Sequence, residues 1–104
     1  REYMYIDDVL DALEVVYAKS GPGEAYNIGG SGWHTALEAL YTIKEVARSE
    51  SEVQIVDRDF VEIKEQYLDS SKLRTLGWSP NVALRDGLQL AVPWYEEEIM
   101  EGRL

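Results

Sequence analysis

The chain has 104 residues, 45% of them hydrophobic, and its 20 acidic side chains outnumber 10 basic ones for a net charge of −10. That length makes one domain, and the acidic balance argues against binding a nucleic-acid backbone, which needs a basic face. Cysteine is absent, which excludes disulfides, thiolate zinc sites and a cysteine nucleophile, and no apolar run approaches the roughly 18 residues of a membrane span.

The apolar and aromatic content is too high for a disordered chain. A chain without cysteine fits a reducing compartment, so a cytoplasmic protein is expected. The sequence opens on Arg1-Glu2-Tyr3, with no signal-peptide pattern and no initiator methionine, and is expected to be a piece of a longer protein.

Tyr3-Met4-Tyr5-Ile6 has strand propensity, and Asp7 and Asp8 are placed to cap a following helix. Val9, Leu10, Leu13, Val16 and Tyr17 share one helical face, which predicts a helix from Val9 to Lys19. Ser20-Gly21-Pro22-Gly23 ends it. Ala25 to Ile28 reads as a second strand, followed by the loop Gly29-Gly30-Ser31-Gly32. Thr35 and Glu38 have the spacing of a capping box, and the apolar face behind them runs to about Ser49.

Val53 to Val56 reads as a third strand and Asp57 to Gln66 as a loop. Tyr67-Leu68 reads as a brief strand, and Asp69 as the cap of a short helix from Ser70 to Leu76, stopped by Gly77. The last helix is predicted from Leu84 to Met100. Pro93 lies inside it and predicts a kink or break near Gln89 to Val92.

Several residues admit two readings. The glycine loop can cradle a phosphate or simply turn a strand into a helix. His34 has no second metal ligand at helical spacing, which favours a surface or capping role. Asp7 and Asp8 can be a carboxylate pair or helix caps. Trp33, Trp78 and Trp94 are expected in core or sub-interface packing. Arg1, Arg58 and Lys64 are the cations an anionic small ligand would find; surface ion pairing is the alternative. Tyr41-Thr42-Ile43-Lys44 spells Y-x-x-K within a helix face and receives no catalytic role.

Five short motifs occur in order. Arg1-Glu2-Tyr3-Met4-Tyr5-Ile6-Asp7-Asp8 resembles R-[DE]-[YFW]-x-[YH]-[VI]-x-D, and Ala25-Tyr26-Asn27-Ile28-Gly29 resembles a YNIG strand and loop. Tyr67-Leu68-Asp69-Ser70-Ser71-Lys72 resembles Y-x-D-x-S-K, and Leu76-Gly77-Trp78-Ser79-Pro80 resembles L-G-W-x-P. Gly87-Leu88 and Trp94-Tyr95 resemble the ending G-[LI]…W-Y. Together they resemble the C-terminal part of NAD-dependent nucleotide-sugar epimerases and dehydratases, the extended short-chain dehydrogenase/reductases. The stretch Glu62 to Asp69 most resembles the CDP-glucose 4,6-dehydratase branch.

The resemblance implies an α+β segment of three to four helices with short strands, residues 1–104 forming one C-terminal substrate-binding domain of a Rossmann-type enzyme. The GxxGxxG loop and the catalytic YxxxK pair are not in this sequence, so the chain alone is expected to be inactive and to bind no NAD. The whole enzyme would use tightly bound NAD to oxidise a sugar hydroxyl and later return the hydride. The partner implied is a nucleotide sugar, not a nucleic acid or a membrane.

Within the segment, the resemblance places Arg1 on the nucleotide diphosphate, Tyr3 along the nucleotide side of the pocket and Glu62 on ribose hydroxyls. A second family arginine falls at Asp59; a one-residue shift lets Arg58 or Lys64 take its place. By the same resemblance, Ala25 to Ile28 is an edge strand of a parallel sheet encoded elsewhere. The isolated chain is therefore expected to expose apolar surface and to self-associate. A stand-alone acidic interaction or oligomerisation domain is the competing reading.

Overall fold

Four helices carry the structure: α1 (Ile6–Lys19), α2 (Ala36–Val46), α3 (Ser71–Arg74) and α4 (Leu84–Met100). The computed structural model describes residues 1–56 and 61–104.

Helix α1 turns Ala12 and, partly, Val15 and Val16 inward. Ala12 meets Leu73 of α3 and Trp78 beyond it, and these three are almost fully buried, ringed by half-buried Met4, Tyr26, Ile28 and Leu76. The helix ends at Ser20, whose N–H still reaches the Val16 carbonyl at 2.9 Å. Pro22 disfavours helical backbone in the residue before it, and Gly23 takes a φ of +76° that suits glycine. Lys19 in the last turn donates to the Leu76 carbonyl at 2.9 Å and ties α1 to the exit of α3.

The start of α1 corrects the sequence reading. The helix begins at Ile6, earlier than Val9, and its N-cap Tyr5 makes no side-chain cap. Asp7 and Asp8 are therefore not caps but first-turn residues, where their charge suits the helix dipole. Asp8 is 2% exposed. Its carboxylate accepts the N–H of Asn81 at 3.0 Å and of Val82 at 2.9 Å, while its carbonyl accepts the Trp78 indole N–H at 3.0 Å. One aspartate thus holds the chain that leads into α4.

The α2 cap forms as expected. The Thr35 hydroxyl accepts the Glu38 N–H at 3.1 Å, and the Glu38 carboxylate accepts the Thr35 N–H at 2.7 Å. The helix stops at Val46, short of Ser49, in a paired closing turn: Arg48 donates to Glu45 and Ser49 to Lys44. That turn puts Arg48 at φ +50°, a position glycine usually fills. The same closure ends α4, there with Gly102 at φ +70°.

Helix α4 packs against α2 and runs unbroken through Pro93, so of the expected kink or break the break does not occur. Pro93 and Gln89 are both exposed, so water can replace the one backbone bond that proline removes. Near its start, Gly87 lies under Tyr5; a Cβ there would meet the tyrosine Cβ at 3.2 Å.

No strand forms among the described residues. Their one strand-like pairing is an antiparallel bridge between Glu2 and Trp33. Tyr5 and Ile6 are drawn into the start of α1, while Ala25 to Ile28, Val53 to Val56 and Tyr67-Leu68 find no neighbouring ladder. Strand propensity measures fit to a pleated, half-buried surface, and the described residues supply no such surface to these segments.

The surface is correspondingly large. The accessible area is 8305 Å², whereas a compact monomer of this mass exposes about 6,000 Å². The radius of gyration is 16.7 Å, against about 13 Å for a compact chain of similar length. Much of the excess is apolar: Ile6, Leu10 and Leu13 on α1, and Leu90, Trp94, Tyr95 and Ile99 on α4, all lie exposed. Among the described residues, no helix is long and apolar enough to cross a membrane.

Candidate functional site

Three stretches distant in sequence converge beside the Glu2–Trp33 bridge. Arg1 opens the first, and its carbonyl accepts the His34 N–H at 2.8 Å. Trp33, His34 and Thr35 form the second, at the entry to α2. The third is Lys64 to Tyr67, approaching α3. Between them lies a concavity of about 420 Å³ lined by Arg1, Trp33, His34, Thr35, Lys64, Glu65, Gln66 and Tyr67.

Arg1 and Lys64, two of the expected ligand-binding residues, share this concavity. Glu62 joins them through the Arg1 guanidinium, which donates to its carboxylate at 3.0 Å. That carboxylate is 62% exposed, so the pair is easily exchanged for another anion: exposed ion pairs contribute little. Tyr3 lies elsewhere. Its ring borders a separate apolar groove of about 210 Å³, with Ile43 of α2 and Leu84, Leu88 and Ala91 of α4. Arg58 falls outside the described residues.

Sequence reasoning did not place Trp33, His34, Gln66 or Tyr67 at a site. Trp33 and Tyr67 are each 70% exposed, so these two aromatics border the concavity rather than fill a core. The one legible signal was a tryptophan directly after a glycine-rich loop, where core packing is least expected. His34 is half-buried along the concavity and leaves helix capping to Thr35. Trp94, also expected to be packed, is exposed and meets Tyr95 edge-to-face at 4.9 Å. Only Trp78 of the three tryptophans is buried.

A polar framework holds the walls. The two oxygens of the Glu2 carboxylate accept the N–H of Gly30 at 2.9 Å and of Leu68 at 3.0 Å. The buried Ser70 hydroxyl donates to the Gly29 carbonyl at 2.9 Å, and the Asn27 amide donates to the Asp69 carbonyl at 3.1 Å. Lys72 donates to the Ala25 carbonyl at 2.9 Å and to the Glu24 carboxylate at 2.5 Å, with its ammonium 4.6 Å from the centre of the Tyr26 ring. The hydrogen bond to Glu24 holds the Lys72 pKa above the ordinary lysine value, and the same bond holds Glu24 below the carboxylate range. Asp69 is also lowered, by the Ser71 N–H at 2.9 Å. The motif residues of the first, YNIG and Y-x-D-x-S-K segments therefore bind one another.

This framework already occupies the glycine loop. The Gly30 N–H is taken by Glu2, and a Cβ at Gly29 would come within 2.7 Å of the Glu2 carboxylate. A carboxylate seated there leaves the Gly30 N–H no free direction for a phosphate oxygen. Among the described residues no cluster of acidic and histidine side chains could hold a metal ion.

The chain is 34% identical, over 91% of its length, to the low-salt glycan biosynthesis protein Agl12 of Haloferax volcanii. It is 35% identical, over 93% of its length, to the dTDP-D-glucose 4,6-dehydratase of Bos taurus. The chain belongs to the nucleotide-sugar epimerase and dehydratase family. A third member is the trifunctional UDP-glucose 4,6-dehydratase/UDP-4-keto-6-deoxy-D-glucose 3,5-epimerase/UDP-4-keto-L-rhamnose-reductase of Arabidopsis thaliana, 31% identical over 93% of the chain. The chain spans 31%, 29% and 15% of the lengths of these three family members. No protein-family model matches it, and no solved structure matches it significantly.

Proposed function

We propose that this chain is the substrate-holding part of a nucleotide-sugar epimerase or dehydratase, and that its concavity receives the nucleotide diphosphate. The observation that carries the reading is the sharing of one concavity by Arg1 and Lys64 in a chain of net charge −10. A guanidinium fork matches phosphate oxygens bidentately, and an ammonium adds a point charge. The volume lies in the range of small-molecule sites. Glu62, released from Arg1 by an incoming diphosphate, is then free to accept ribose hydroxyls. Arg58 remains a candidate for the second phosphate contact, and Tyr3 for the nucleotide side of the pocket.

NAD belongs, on this reading, to the rest of the enzyme, where it supplies hydride chemistry at the sugar. The residues here bind and orient: the diphosphate is gripped away from the reacting carbon, and that remote grip positions the sugar. The segment Ala25 to Ile28 acts as an edge strand once the larger sheet is beside it, making the segment the α+β portion of a Rossmann-type enzyme. Without that sheet, the exposed faces of α1 and α4 favour self-association.

Isothermal titration of the chain with UDP, dTDP, CDP and GDP tests the reading. At least one should bind at millimolar concentration, and Arg1→Ala should weaken it by about 1.5–3 kcal/mol, the scale of a charge-assisted hydrogen bond. No binding, or binding indifferent to Arg1, refutes it.

A further inference from the structure

We propose that Glu2 is the positioning residue of this concavity: its single carboxylate fixes the Trp33–His34 wall and the Lys64–Tyr67 wall with respect to Arg1. Glu2 does not line the concavity, so it acts through its neighbours. It follows Arg1 directly and is bridged through its backbone to Trp33. One oxygen accepts the Gly30 N–H, on the loop that delivers Trp33; the other accepts the Leu68 N–H, next to Tyr67. The residue next to Arg1 therefore ties all three lining stretches, through its backbone to Trp33 and through its carboxylate to Gly30 and Leu68.

The chemistry requires a carboxylate. Two N–H donors arrive at two different oxygens, so both oxygens must accept. Glutamine keeps one acceptor and turns an NH₂ group toward the other N–H. Gly29 leaves the room: a Cβ there would stand 2.7 Å from the Glu2 oxygen and 3.0 Å from the Leu68 Cβ. A wall displaced by an ångström separates Lys64 from the anion that Arg1 holds, and misplacement on that scale is costly in binding and positioning.

The ligand in this proposal rests on the proposed function; the clamp itself does not, and the test separates them. Amide hydrogen exchange is measured by NMR on the 104-residue chain without nucleotide, for wild type, Glu2→Gln and Glu2→Ala. In Glu2→Ala the Gly30 and Leu68 amides should exchange at least about tenfold faster, the scale of one lost charged hydrogen bond, while the Tyr41 and Ile43 amides of α2 keep their rates. Glu2→Gln should release only one of the two. Unchanged Gly30 and Leu68 rates, or an equal acceleration across α2, overturns the clamp. UDP titration of the same variants then reads the ligand. Weaker binding in the order wild type, Glu2→Gln, Glu2→Ala supports positioning, and equal affinities overturn it. If wild type binds no nucleotide, the diphosphate reading falls, and the exchange rates alone decide for or against the clamp.

Discussion

Removing the Asp8 carboxylate should unfold much of what α4 is attached to. Asp8 is 2% exposed and accepts two backbone N–H groups, at Asn81 and Val82, that find no second acceptor among the described residues. Asp8→Ala deletes two charge-assisted hydrogen bonds and leaves both donors half-buried without partners. A hydrogen bond to a charged group contributes about 1.5–3 kcal/mol, and each orphaned donor costs about 1–3 kcal/mol. The two donors are adjacent and their losses are not additive, so the expected total is about 3–4 kcal/mol. Small domains have only about 5–15 kcal/mol of stability in all. Asp8→Asn keeps one acceptor and should lose about half as much. Urea unfolding followed by Trp78 fluorescence reads the effect. With a slope of about 1–2 kcal/mol per molar, the midpoint should fall by about 2 M in Asp8→Ala. A loss below about 0.5 kcal/mol, the size of an ordinary surface substitution, would refute the reasoning.

Arg48→Gly should stabilise the chain by about 0.5–1 kcal/mol: a left-handed residue with a Cβ costs about 1–2 kcal/mol, partly offset by the greater freedom of glycine when unfolded. Thermal unfolding checks it, with Gly102→Ala expected to move the melting point the other way. The Thr35 N–H holds Glu38 below the ordinary carboxylate range, so its support of α2 is complete above the unfolded glutamate pKa and fades as the pH drops through the lowered folded value. The α2 amides should therefore lose exchange protection on acidification, and Glu38→Gln should remove that dependence; an unaltered profile in the variant would count against it. Sedimentation at micromolar concentration should show self-association that weakens when Trp94 and Ile99 of α4 are changed to serine, and a sharp wild-type monomer would contradict it.

The helices were legible because each carries its own instructions. The α2 capping box needs only Thr35 and Glu38, and both bonds form. Gly77 and Gly102 take the positive φ values that end α3 and α4. The strands were not, because strand formation depends on a neighbouring ladder, and none lies beside these segments among the described residues. Val53 to Val56 has strand composition and no ladder. Asp8 was misjudged for a related reason: an aspartate before a helix reads as a cap, and nothing local reveals that Asn81 and Val82 will arrive to claim it. At the site, Arg1 and Lys64 were visible through their charge. Glu2 was visible only as a motif letter, since its role is set by Gly30 and Leu68, far along the chain.

The two helix pairings have a consequence for cooperativity. Ala12, Leu73 and Trp78 form one small buried cluster, while α2 and α4 pack on each other apart from it. Between them run the Asp8 tie to the chain before α4 and the narrow contact of Tyr5 with Gly87. Cooperative unfolding of a small domain comes from sharing one continuous core, and here the sharing is thin. The α2–α4 pair can open while α1, α3 and Trp78 stay together, as separate cooperative units do in proteins with uneven local stability. Such a division lets one half of the segment be reshaped by whatever covers it without dissolving the other, and leaves the Trp78 cluster as the fixed point about which the rest is arranged.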